Sequence, residues 1–368
     1  MSRQTTGVST PPEAAADSRP ISPEHLARAG EITDLIFKFA DLSQAATAVL
    51  YELGVEARAY MLAAGDETVA MEDAFLSRVP AERTNRPRPP AIDPDSITVP
   101  DLSLPSPPQI YAELQQALAS DRAGAADLAA IVSKDTSLAA KLLKTVNSAF
   151  FALPVKVDTL SRAVTVLGTK ELASLSSGIA IMGSFKDIPK AFIDMPSFWR
   201  HSLAAGTLAR LLAEAAGFRE SERFFVAGLL HDLGRLVLFK SAPEVIRRAI
   251  LAAREEQDIL HYKEQDEIGY DHATIGSIML RKWNLPLDLR QIVLHHHAPE
   301  IAENLKPVAL IHLADIMARA LGLGISGEYF VPPVNEAAWA SLEIEPQALR
   351  EIAAEAREKL TPLFVSVI

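Results

Sequence analysis

The run Gly228-Leu229-Leu230-His231-Asp232-Leu233-Gly234-Arg235 sets an imidazole and a carboxylate side by side inside an otherwise apolar stretch. Neither group is desolvated cheaply, so a buried pair of this kind needs a shared cation, a strong mutual partner or a polar cavity. His201, His272, His295, His296 and Asp315 recur on later and earlier segments, each beside hydrophobic residues that pull toward a common core. His201, His231, Asp232 and Asp315 would give a divalent cation two nitrogen and two oxygen ligands, and His272 with the run His295-His296-His297 offers a second position. An ion held there, whether Fe, Mn, Zn or Mg, would acidify a bound water and polarise a phosphoryl oxygen, with Arg235 placed to grip the phosphate in a bidentate contact. The same residues also read as core histidines satisfied locally, with Asp232 capping or pairing nearby and the triple His a solvated helix end. Residue type and spacing leave both readings open.

The elements that must position these groups are helical. Ala and Leu dominate while β-branched and aromatic residues are scarce, which makes the fold class all-α. Residues 1–21 have the composition of a disordered tail, and 22–79 form a small helical N-terminal region with Ile32, Leu35, Ile36 and Phe39 at helical spacing. Prolines recur through 80–103, which is read as a linker. Helical periodicity then runs through 108–119, 125–131, 137–147, 159–167, 170–181, 198–216, 221–240, 243–257, 271–283, 286–296 and 307–321. A proline-containing loop near 331–333 and a helix over 346–360 belong to a C-terminal extension, 301–368, expected to pack on the main domain.

Composition excludes several functions. The formal net charge of -11, with no basic cluster interleaved with aromatics, argues against binding nucleic acid over a broad face. There are no cysteines, hence no disulfides, thiolate ligands or cysteine nucleophiles. Met1 to Pro20 holds no apolar signal core and no later stretch is charge-free for a bilayer's width, so a cytoplasmic protein without membrane contact is expected. No phosphate-cradling Gly-rich loop or nucleophile elbow is present. Glu264, Asp266 and Glu267 read as a solvated segment, Lys144 to Phe151 as a helix C-cap with an aromatic anchor, and His25 and His261 as residues without a role.

From Leu104 to about Glu300 the landmarks resemble the HDOD module, the HD-related output domain of bacterial signalling proteins. They are Leu104-Pro105, Val146-Asn147-Ser148-Ala149, Ala163-Val164 with Leu167-Gly168, Phe198-Trp199-Arg200-His201-Ser202, the His231-Asp232 run, Asp271-His272-Ala273 with Gly276, Trp283-Asn284-Leu285-Pro286, and His295-His296. The resemblance implies an HD-like multi-helix bundle related to metal-dependent phosphohydrolases, and a regulatory module that binds a signalling partner protein or a small nucleotide-like ligand. It implies metal positions at His201, His231, Asp232 and Asp315, with His272, His295 and His296 as the extra histidines of the binuclear type. Two departures stand against hydrolysis of a cyclic dinucleotide: Arg235 replaces the usual Lys, and Ala298-Pro299-Glu300 follows the histidines where a Gly-Tyr-Pro element would come.

Overall fold

A computed structural model describes residues 20–76, 108–118, 124–147, 155–185, 188 and 193–367. These residues form helices and connecting turns and no strand, as an all-α chain should. The expected linker and all of the expected tail except Pro20 and Ile21 lie outside them. Among the described residues no helix is long and apolar enough to cross a membrane.

Three helices open the fold: α1 (Pro23–Ile36), α2 (Ala45–Ala64) and α3 (Glu67–Leu76). Ser22 starts α1 with a capping box in which His25 supplies the reciprocal side chain, so His25 has a local structural role. A second group comprises α4 (Gln109–Leu118), α5 (Ala125–Ser133), α6 (Thr136–Val146), α7 (Leu160–Leu167) and α8 (Thr169–Gly183). Asn147 caps α6 as its sequence suggested: its amide bonds Leu143 O and Val157 O and accepts from Val157 N at 2.7 Å.

The remaining helices are α9 (Met195–Ala215), α10 (Glu222–Leu230), α11 (Leu233–Ser241), α12 (Pro243–Glu255), α13 (Leu260–Ile268), α14 (His272–Lys282), α15 (Leu287–His295), α16 (Leu305–Ala320), α17 (Glu336–Leu342) and α18 (Ala348–Val367). Helix α9 is the axis of the molecule. Asp194 caps it and Pro196 fits its first turn, so it begins three residues before the periodicity at Phe198 suggests. It is buried nearly all round, its Ala and Leu residues enclosed by neighbouring helices. Helices α10, α16 and α18 pack around it.

The sequence predicts one helix over 221–240, but the structure breaks it at His231 and Asp232. Two close crossings explain the break. A Cβ on Gly228 would lie 2.6 Å from the Gly206 backbone, so α10 rests directly on α9. A Cβ on Gly234 would lie 1.9 Å from His272 O and 2.5 Å from Gly276 N, so α11 rests directly on α14. The chain turns between these two crossings, where the two polar residues stand.

The N-terminal helices join the same core. Arg58 on α2 bonds both oxygens of Glu72 on α3, at 2.9 and 3.0 Å, and donates to Ala320 O at the end of α16 at 2.6 Å. Arg319 pairs with Glu72 as well and donates to Tyr329 O. All three charged side chains are buried, where only such mutual pairing makes them tolerable. Helices α3, α13 and α17 were not foreseen. Charged residues fill α13 so densely that its one buried face does not stand out in the sequence.

Candidate metal centre

The helix break delivers His231 and Asp232 to a point faced by α9, α14, α15 and α16. His231, His201 and Asp232 are 0, 1 and 2 % exposed. His201 Nε2 from α9 lies 3.0 Å from Asp315 Oδ1 on α16 and 3.6 Å from Asp232 Oδ2, without the alignment of a hydrogen bond. His231 Nε2 lies 3.4 Å from Asp232 Oδ2 and 3.6 Å from Asp315 Oδ1. Ligand atoms of His201, His231 and Asp232 fall within 4.8 Å of one another, as do those of His231, His296 and Asp315.

These donors fit a divalent metal. His231 Nδ1 lies 2.6 Å from Gly228 O and His296 Nδ1 lies 2.7 Å from Val293 O, and donation to these carbonyls directs each Nε2 lone pair inward. Anchoring of one ring nitrogen by a backbone carbonyl is the usual support of a metal-bound imidazole. The buried Nε2 atoms of His201, His231 and His296 have no hydrogen-bond partner, which a core built only for stability would avoid.

A second group, His272, His296 and His297, lies on the other side of Asp232. Asp232 Oδ2 faces His201 and His231, while its Oδ1 takes His272 Nε2 at 2.8 Å. This side is already tied up. His272 Nδ1 lies 2.5 Å from Glu264 Oε2, and the His272 backbone N–H bonds the same carboxylate at 2.9 Å. Arg235 donates to Glu264 Oε1 at 3.0 Å, to Asp232 Oδ2 at 3.3 Å and to Ser326 Oγ at 2.9 Å, and its Nη2 sits 2.9 Å from His272 Nδ1.

Proton positions follow from this packing. Burial works against charge on His231, but Asp232 and Asp315 outweigh it and hold the imidazole up at about 10. Burial and Arg235 both oppose charge on His272, yet Glu264 and Asp232 raise it to about 9. Burial alone would raise the carboxyls of Asp232 and Asp315; the cations around Asp232, and His201 and His231 beside Asp315, keep both well below the usual range. His296 is pushed down to about 3 by burial and by the charges on His231 and His272, so it stays neutral. Without metal, the carboxylates of Asp232, Asp315 and Glu264 are balanced by Arg235 and two protonated imidazoles.

The structure thus brings together His201, His231, Asp232, His272, His296 and Asp315. His295 does not join them: it is only partly buried and bonds Gln291 on its own helix at 3.0 Å. Successive residues on a helix point about 100° apart. The neighbouring His296 faces inward, and His297, beyond the helix end, occupies the place expected of His295, with Nε2 3.1 Å from His272 Nε2. Arg235, expected at a substrate phosphate, is turned inward and 1 % exposed.

Sequence reasoning missed four contributors. Glu264 is fully buried rather than solvated; its spacing of four from both Leu260 and Ile268 was the available signal. His261 is buried and stacks on His297, ring centroids 3.9 Å apart. His312 bridges His296 O at 2.8 Å and Asn335 N at 3.0 Å, and Ser326 completes the shell of Arg235. A cleft of about 300 Å³ reaches the cluster at His297 and Asp315; Glu300 and Glu336 line it, and no Lys or Arg does among the described residues.

Known proteins resemble this chain in sequence or in fold. A Treponema pallidum (strain Nichols) protein of uncharacterised function is 27% identical over 281 residues, 74% of this chain and 52% of its own length, so the chain spans about half of that relative. A Shewanella amazonensis SB2B structure, provisionally named a phosphohydrolase, superposes with TM-score 0.59 at 23% identity, covering 72% of this chain and 95% of that one. A Marinobacter aquaeolei VT8 structure, provisionally named a signal transduction protein, gives TM-score 0.57 at 21% identity over 72% of this chain and 59% of that one. At such identities the two structures establish the fold alone. The HDOD domain model matches residues 104–299, more than half of the sequence, and the chain belongs to the HDOD family.

Proposed function

We propose that this protein is a cytoplasmic signal-transduction regulator whose HDOD module holds one divalent metal ion as a fixed part of its core and acts by binding a partner protein. The observation that carries this reading is the acidic mouth of the centre. Glu300, Glu336 and Asp315 line the cleft with no Lys or Arg beside them among the described residues, a field that draws in a cation and repels a phosphate ester. Arg235, which could have offset that field, spends its N–H groups on Glu264, Asp232 and Ser326. His201, His231, Asp232 and Asp315 would hold the ion. A bound divalent cation supplies Lewis acidity and a more acidic water, but phosphoryl transfer also needs donors around the phosphate oxygens.

A phosphohydrolase is the second reading. It is favoured by the position of Asp232, which belongs to one ligand group and touches His272 of another, as in sites that clamp a phosphate between two ions. The two part in one experiment. Elemental analysis of protein purified without chelators should give about one transition-metal equivalent, and that protein should leave a panel of phosphomonoesters and phosphodiesters unhydrolysed. Two metal equivalents with turnover abolished by Asp232→Asn would establish the hydrolase instead, and protein carrying no metal after Mn²⁺ or Fe²⁺ loading would refute the metal site itself.

A further inference from the structure

A second cavity, of about 500 Å³, opens on another face of the molecule between α4, α8, α10, α15 and α16. It shares no residue with the metal cluster. Its walls are apolar, with Ile181, Val226, Leu230, Leu285, Ile292 and Val308 among them. A volume of this size, mostly apolar with a few polar groups, is typical of small-molecule pockets.

Ser177 makes the cavity more than a packing defect. It lines the space, is 5 % exposed, and its Oγ has no hydrogen-bond partner. Serines inside helices ordinarily turn back to the carbonyl four residues earlier. The adjacent Ser176 does so, donating to Leu172 O at 2.6 Å. Ser177, on the same helix, is left as a buried donor and acceptor beside empty space, which is unfavourable unless something else completes it.

The rim defines the charge of the ligand. Arg223 stands there with Asp288 and Glu303, and its guanidinium lies 4.7 Å from the Phe224 ring centroid. One cation against two carboxylates does not select an anion. Leu287, also at the rim, is 58 % exposed and offers apolar surface for a ligand to cover. We propose that this cavity binds a small uncharged molecule with a hydrocarbon or aromatic body and one hydroxyl or carbonyl group that pairs with Ser177.

Nile red, an uncharged aromatic dye carrying a ring carbonyl, is the test probe, titrated by fluorescence into the full chain. The expected result is saturable binding at one dye per chain. Val226→Trp fills the cavity and should abolish it, while Ser177→Ala should weaken it about five-fold, the loss of one buried hydrogen bond. If V226W loses its helical circular dichroism, Ala302→Trp at the mouth serves as the blocking variant. Absence of saturable binding by the wild type, or wild-type affinity in the folded blocking variant, overturns the proposal; unchanged affinity in S177A overturns the pairing with Ser177.

Discussion

Asp232 divides its two oxygens between two sets of histidines, and the protons on those histidines make the centre sensitive to pH. His231 and His272 are raised to about 10 and 9 from an ordinary value of 6.5. A group whose pKa is higher folded than unfolded stabilises fully below its unfolded value and loses that effect as pH climbs through the folded one. Metal-free protein should therefore hold its urea midpoint up to about pH 6.5 and weaken progressively toward pH 10. Asp232, Asp315 and Glu264 act in the opposite sense: their contribution is present above ordinary carboxylate values and fades in acid. Metal competes with the proton on His231, so Co²⁺ affinity should rise with pH across the same alkaline window and binding should release a proton into weak buffer. A flat affinity from pH 6.5 to 9 would mean that His231 is not a ligand. Glu264→Gln would leave Arg235 and His272 facing each other without their shared anion, and urea unfolding should show a loss of about 3–5 kcal/mol. His201, His231, Asp232 and Asp315 were legible in the sequence because His231-Asp232 and Asp315 interrupt apolar runs and His201 opens an Ala/Leu-rich one. Glu264 was not, because carboxylates surround it in sequence, and the exchange of His295 for His297 depends on rotation at a helix end that periodicity does not resolve.

At the level of elements, the glycines around His231 and Asp232 matter as much as the pair itself. Gly228 sets α10 against the helix that carries His201, and Gly234 sets α11 against the helix that begins at His272. Gly234→Ala should force α11 and α14 apart, lowering stability by about 1–3 kcal/mol or more and loosening the Asp232 to His272 contact. Gly30, in the middle of α1, has nothing within 4 Å of its missing Cβ. Gly30→Ala should thus raise stability by about 0.5–1 kcal/mol, and thermal melts of the two variants should shift in opposite directions. Most helices were readable from apolar periodicity and caps, whereas the close backbone contacts at Gly228 and Gly234 were not. The break between α10 and α11 was hidden because neither Gly nor Pro occupies it; the turn comes from two partner helices that the local sequence cannot name.

For the whole molecule, the HDOD match ends before the site is complete. Asp315, Ser326 and His312 all follow residue 299, and α16 and α18 enclose α9 from the same C-terminal side. A fragment of residues 104–299 should accordingly show no cooperative melt by circular dichroism and retain no metal, whereas the full chain should melt cooperatively and retain it. Composition and periodicity place 301–368 against the domain and 22–79 in a small helical region, but they do not reveal that Arg58, Glu72 and Arg319 tie α2 and α3 to α16. That lock has a kinetic consequence. Arg58 and its acceptor Ala320 are 262 residues apart in the chain. Contacts between such distant segments close late and slow the search for the native state. During synthesis α1 to α3 emerge before α16, and their charged Arg58 and Glu72 lack their Ala320 and Arg319 partners until α16 is made and brings Asp315 with it. The candidate metal centre is thus complete only once α16 has been made, and a nascent chain stalled before α16 lacks the Asp315 carboxylate of that cluster.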